Sequence, residues 1–163
     1  MLGAMALEGE SKGRGSVLDP EKTVATFVRP ESFRFLKSLH ISAKNRSPRF
    51  SMTDLTSACV SLVFKVEDAA GRVIGEARTA IAREGRVERL RCDLWRQQFA
   101  VLRDLQRSRE NRAPNPHCDL GDLTNACIAV ARSVEDAPVR ILDEARLNLA
   151  GRIGVEAGGG RVS

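Results

Sequence analysis

The sequence predicts a mainly α fold carrying a short two-stranded antiparallel ribbon, built from two strand–helix–helix repeats that form an intramolecular pseudo-dimer. Three observations predict it: the chain repeats itself, each copy opens on a segment of period-two apolar alternation, and each copy continues into capped amphipathic helices. The division expected is a disordered tail over 1–20, a first repeat with an extra helix over 21–83, a second over 84–151, and a disordered tail over 152–163. The first tail is rich in Gly, Glu and Ser without apolar periodicity, and the second contains Gly158-Gly159-Gly160.

The repeat is direct. Asp54-Leu55-Thr56-Ser57-Ala58-Cys59 aligns with Asp122-Leu123-Thr124-Asn125-Ala126-Cys127 at an offset of 68, which holds without a gap to Ala82 and Ala150. Over those 29 positions 14 are identical, where average residue usage would give about two. Upstream, Phe33, Leu36, Leu39, Ser42, Asn45 and Arg46 match Phe99, Leu102, Leu105, Ser108, Asn111 and Arg112 at an offset of 66. The two-residue change falls in a Pro-containing stretch, where an insertion is tolerated as a loop.

The elements follow in order. In the second copy Leu90, Cys92 and Leu94 alternate with Arg89, Arg91 and Asp93, the pattern of a half-buried strand. In the first copy Val24, Thr26 and Val28 align with the apolar set, leaving Thr23, Ala25 and Phe27 outward. A one-residue slip would exchange the two sets and bring Lys22 and Thr26 out. A helix follows, opened by Pro30 and Glu31, with Phe33, Leu36 and Leu39 inward and Arg34 and Lys37 exposed; Phe99, Leu102 and Leu105 repeat it. A second helix starts after Ser51 in one copy and Asp119 in the other. Asp54 and Asp122 stand three residues on, the spacing of a capping box. Leu55, Ala58, Cys59, Leu62 and Val66 form its apolar stripe, as do Leu123, Ala126, Cys127, Val130 and Val134. A third helix, with Val73, Ala77 and Ile81 or Ile141, Ala145 and Leu149 inward, is expected to break from the second near Gly71 and near Pro138. A lone strand leaves its backbone groups unpaired, so the two strands are expected to pair antiparallel.

Composition narrows the function. Apolar residues make up 42% and aromatics 4%, with one Trp and no Tyr, so the core is aliphatic. No apolar run approaches the ~18 residues of a membrane span, and no charged region followed by an apolar stretch opens the chain; a cytoplasmic protein is expected. Cys59, Cys92, Cys118 and Cys127 form no CxxC pair and read as small buried thiols of a reducing compartment. A zinc site on Cys92, His117 and Cys118 lacks ligand-pair spacing, and no metal or cofactor is expected. His40 and His117 have no recognisable nucleophile arrangement near them, and no glycine-rich phosphate loop is present, so no enzyme is expected. The net charge of +5 permits an anionic partner.

Thr23–Val28, Pro30–Leu39 and Arg49-Phe50-Ser51-Met52-Thr53-Asp54-Leu55, with their counterparts Arg89–Leu94, Phe99–Leu105 and Asp119–Leu123, give strand, helix, loop and capped helix in that order. This order resembles the ribbon–helix–helix superfamily of DNA-binding proteins. The tandem single-chain form is similar in architecture to plasmid conjugation and T-DNA-transfer accessory proteins. Phe27 on the outer face, Asp93 near phosphate and the third helix depart from the superfamily pattern.

The resemblance implies sequence-specific binding of double-stranded DNA through a β-ribbon in the major groove. Base contacts would fall to Thr23, Ala25, Arg89, Arg91 and Asp93. Phosphate contacts would fall to Lys44, Arg46, Arg49 and Arg112 and to the helix starts at Ser51, Met52, Thr53, Leu120 and Gly121. The same residues also fit a solvated strand face and two plain helix caps. The role expected is transcriptional regulation or accessory work in plasmid maintenance or transfer, with a second copy of the chain or a protein as a further partner. The alternative is a protein-interaction module, antitoxin-like or scaffolding, that uses the extra helices with little or no DNA binding.

Overall fold

The computed structural model describes residues 22–85, 88–112 and 117–161, with side chains to 154. The expected tail over 1–20 lies outside the described residues. The chain runs β1 (Thr23–Val28), α1 (Pro30–His40), α2 (Met52–Val63), α3 (Ala69–Glu84), β2 (Leu90–Trp95), α4 (Arg96–Gln106), the single turn α5 (Arg109–Arg112), α6 (Leu120–Arg132) and α7 (Ala137–Arg161). It is mainly helical with a two-stranded antiparallel sheet.

Strand β1 pairs with β2 from Thr23 opposite Trp95 to Val28 opposite Leu90. Thr26 and Val28 are buried and Phe27 is exposed, so the slipped register is excluded. The hydroxyl of Thr26 sits in the core because it has a partner, donating to Thr124 Oγ1 at 3.1 Å.

The packing crosses between the two halves of the sequence. Helix α2 packs on β2, α6 and α7, while α6 packs on β1, α2 and α3. The shared core holds Val28, Leu36 and Leu55 from the first half with Leu94, Leu102, Leu123 and Ile141 from the second. Neither half therefore encloses an apolar core of its own. Cys59, Cys92, Cys118 and Cys127 are buried free thiols. Burial raises three of these thiols, Cys59, Cys92 and Cys127, above the usual range, Cys92 to about 11.

Buried polar bonds recur at equivalent positions. The amide of Arg29 donates to Asn125 Oδ1 at 3.0 Å, and the amide of Trp95, 66 residues on, donates to Ser57 Oγ at 2.9 Å. Asn45 closes the loop after α1 by donating to the carbonyls of His40 and Phe50 and accepting from the Phe50 amide. Asn111 does the same with Gln106 and Cys118. The identity of these two asparagines thus follows from a loop whose backbone groups need one side chain carrying both donor and acceptor.

Three details differ from the expectations. The break between second and third helices falls just before Gly71 and Pro138, which lie inside the first turns of α3 and α7. The chain turns at Asp68 and Asp136, held at φ 58 and φ 57 in the left-handed region, which Asp tolerates better than bulkier residues. Helix α7 does not stop at 151; its backbone is helical to Arg161. The turn beyond Ala150 is tied down because Arg152 stacks 4.4 Å over the Trp95 ring and meets Asp54 Oδ1 at 3.1 Å. The second loop also contains α5, a turn with no counterpart among the expected elements.

Candidate nucleic-acid interface

Alternation puts Thr23, Ala25 and Phe27 on one face of the ribbon, opposite Trp95, Asp93 and Arg91. The other face lies on α2 and α6, so this is the solvent face. Phe27 is 46% exposed, and the Arg91 side chain is 65% exposed. Asp93 holds Arg91 by its Nε at 2.8 Å and Nη2 at 3.4 Å. That hydrogen bond and the carboxylate charge raise the Arg91 guanidinium further above its ordinary value.

A helix start meets each end of this face. At the Trp95 end lies α2, where the Ser51 hydroxyl accepts the Asp54 amide at 3.1 Å and Asp54 Oδ2 accepts the Ser51 amide at 3.0 Å. The free oxygen of Asp54 accepts Trp95 Nε1 at 2.8 Å and Arg152. At the Phe27 end lies α6, capped in the same way by Asp119 and Asp122. Gly121 sits here because a Cβ would stand 2.5 Å from the Phe27 carbonyl oxygen.

The site residues expected from sequence divide into two groups. Thr23, Ala25, Arg91 and Asp93 lie together on the solvent face. Arg89 does not join them. Its Nη1 meets Asp119 at 3.2 Å and its Nη2 meets Asp122 at 2.7 Å, so its donors answer two carboxylates at the start of α6, one of them only 3% exposed. Gly121 is buried beneath Phe27 and Arg89. Met52 and Leu120 turn partly onto the core, Thr53 is half-buried and Ser51 is exposed with its hydroxyl held in the cap.

Burial would raise the Asp119 carboxyl. The amide of Asp122 and the Arg89 guanidinium outweigh burial and hold it below the usual carboxylate range. Asp119 is therefore not a bare charge set against an incoming phosphate.

Exposed cations precede both helix starts. Lys44, Arg46 and Arg49 stand in the loop before α2, and Arg112 in the segment before α6. Sequence reasoning missed Arg107 and Arg109, which are exposed in the same segment; their spacing around a single helical turn gave no periodic signal. His40 is held below its usual value by burial, then by Arg49 and Lys37.

Cys92 faces the core from the ribbon and Cys118 is bound by Asn111 before α6. Among the described residues no three His, Cys, Asp or Glu side chains gather where a metal could bind, and no helix is long and apolar enough to cross a membrane. No protein-family model matches the chain, no curated protein is significantly similar to it, and no solved structure matches it significantly.

Proposed function

We propose that this chain is an intramolecular pseudo-dimer that binds double-stranded DNA, laying the solvent face of its ribbon in the major groove and its two basic loops on the flanking phosphates. One observation carries the reading: the ribbon's solvent face is bounded at both ends by capped helix starts, each preceded by exposed cations. A two-stranded ribbon fits the major groove, and cations placed on either side of it meet the two backbones. The pseudo-dimer is supported by the repeat and by the matched bonds of Arg29 and Trp95 and of Asn45 and Asn111. Arg91 supplies the base-edge contact, Asp93 orients it, and Lys44, Arg46, Arg49, Arg107, Arg109 and Arg112 supply the electrostatic contacts. The biological setting proposed is regulation of transcription or accessory work on plasmid DNA in maintenance or transfer, in the cytoplasm.

A second reading is favoured by Val139, Leu147 and Ile153, which are exposed on α7. They give the extra helix an apolar surface for a protein partner, alongside DNA or in place of it.

Binding of duplex DNA across a salt series tests the first reading. Affinity is expected to fall by about 0.9 in log K per log salt for each phosphate contacted. Replacing Lys44, Arg46 and Arg49 by alanine removes up to three contacts and is expected to flatten the slope by roughly 2 to 3. No binding at low salt, or a slope unchanged in the triple variant, sinks the reading and leaves the α7 surface as the functional one.

A further inference from the structure

The solvent face of the ribbon is not symmetric about the axis that the repeat implies. A residue of β1 is equivalent to the one 66 positions later in β2. The register sets Thr26 opposite Cys92, its own equivalent, so the implied axis passes between these two. On one side of it lies Ala25 opposite Asp93; on the other lies Phe27 opposite Arg91. The first pair offers a methyl group and a carboxylate. The second offers a half-exposed aromatic ring and a guanidinium. Directly opposite residues of an antiparallel pair stand only about 5 Å apart, so the ring and the guanidinium address the same or adjacent base pairs.

Phe27 is otherwise anomalous. It is a large apolar ring, 46% exposed, on a short strand whose inward neighbours Thr26 and Val28 are buried. The major groove presents one apolar group, the 5-methyl of thymine, and guanine presents the paired acceptors O6 and N7 that suit arginine. Asp93 engages Nε and one N–H of Nη2 of Arg91, leaving Nη1 and the second N–H of Nη2 for a base.

We infer that Phe27 is a specificity-determining residue whose ring covers the 5-methyl group of a thymine beside the guanine read by Arg91. The inference rests on the DNA reading above. It makes recognition directional. The Phe27–Arg91 side carries the sequence preference, the Ala25–Asp93 side carries little, and the chain sits in one orientation on a non-palindromic site.

The test is selection of preferred sites from random duplexes, followed by replacement of each thymine with uracil, which removes the methyl group alone. With the wild-type chain, uracil at one thymine beside a guanine is expected to weaken binding about fourfold, the equivalent of one buried methyl group. Phe27→Ala is expected to bind the thymine and uracil duplexes equally, and Phe27→Leu to keep part of the difference. Arg91→Ala is expected to lose the preference at the neighbouring guanine. Unchanged Trp95 fluorescence and melting establish that each variant is folded. Uracil tolerated at every position by wild type, or a difference that persists in Phe27→Ala, overturns the inference while the DNA reading stands. Failure to bind any duplex overturns both.

Discussion

Alanine in place of glycine should have opposite effects at two helical positions, and the structure gives the size of each. At Gly75, inside α3, an added Cβ meets nothing within 4 Å. The substitution only restricts the unfolded chain and improves helix propensity, a gain of about 0.5–1 kcal/mol. At Gly121, in the first turn of α6, the added Cβ stands 2.5 Å from the Phe27 carbonyl oxygen, where real Cβ atoms essentially never come under 3.0 Å. That neighbour is backbone in a paired strand and cannot rotate away, so α6 and the ribbon must separate by at least half an ångström. Such overpacking costs about 1–3 kcal/mol. The helix-propensity gain offsets part of it, leaving a net loss of about 1–2 kcal/mol. Urea unfolding followed by Trp95 fluorescence should place the two variants about 2 kcal/mol apart on either side of wild type, or about 4–8 °C in Tm. A Gly121→Ala chain as stable as Gly75→Ala would refute the close approach of α6 to the ribbon, and with it the geometry of one end of the proposed DNA face.

Three further outcomes are expected. Arg89→Ala takes the guanidinium away from the Asp119 and Asp122 carboxylates and should cost about 2–3 kcal/mol in the same assay. Because folding holds the Asp119 carboxyl below its ordinary range, its contribution is present above that range and is lost as pH falls through it. Stability measured between about pH 5 and 3 should therefore decline less steeply in Arg89→Ala than in wild type. Arg152→Ala removes the cation from the Trp95 ring and from Asp54. It should shift the emission of the chain's single tryptophan and cost roughly 1 kcal/mol, whereas unchanged emission would contradict the docking of the last turns of α7. His40 is held low by burial, Arg49 and Lys37. A DNA phosphate at Arg49 would offset the electrostatic part, so NMR titration should find the imidazole closer to its ordinary value in the complex than in the free chain, and a value that stays put would argue against phosphate at this loop.

Much of this architecture was legible because it is local or repeated. The capping boxes at Ser51–Asp54 and Asp119–Asp122 declare themselves by a three-residue spacing. The alternation of Leu90, Cys92 and Leu94 fixes which face of β2 is buried, and the repeat carries the same register to β1. What escaped is what joins residues far apart in sequence. Nothing near Arg89 shows that two carboxylates 30 and 33 positions later will take its guanidinium. Nothing near Arg152 points to Trp95 and Asp54. Charge on an outward strand position reads the same whether it meets solvent, DNA or another part of the chain, and only the tertiary structure separates these. The turns at Asp68 and Asp136 were hidden for a different reason: Gly and Pro are the strongest breakers in general, yet Gly71 and Pro138 fall in first turns, where both residues are tolerated.

The asymmetry of the proposed site follows from the sequence repeat. At the offset of 66, Ala25 stands where the second strand has Arg91, and Phe27 where it has Asp93. A homodimer of identical strands would present the same residues on both sides of its axis; a single chain is free to differ.

The most direct test of the central claim is the map of backbone amide shifts when the 15N-labelled chain is titrated with duplex DNA. The account predicts that the largest changes fall on Thr23, Ala25, Phe27, Arg91 and Asp93 and on the loops around Lys44–Arg49 and Arg107–Arg112, with α3 and the outer face of α7 unaffected. Changes centred on Val139, Leu147 and Ile153 with the ribbon silent would contradict it.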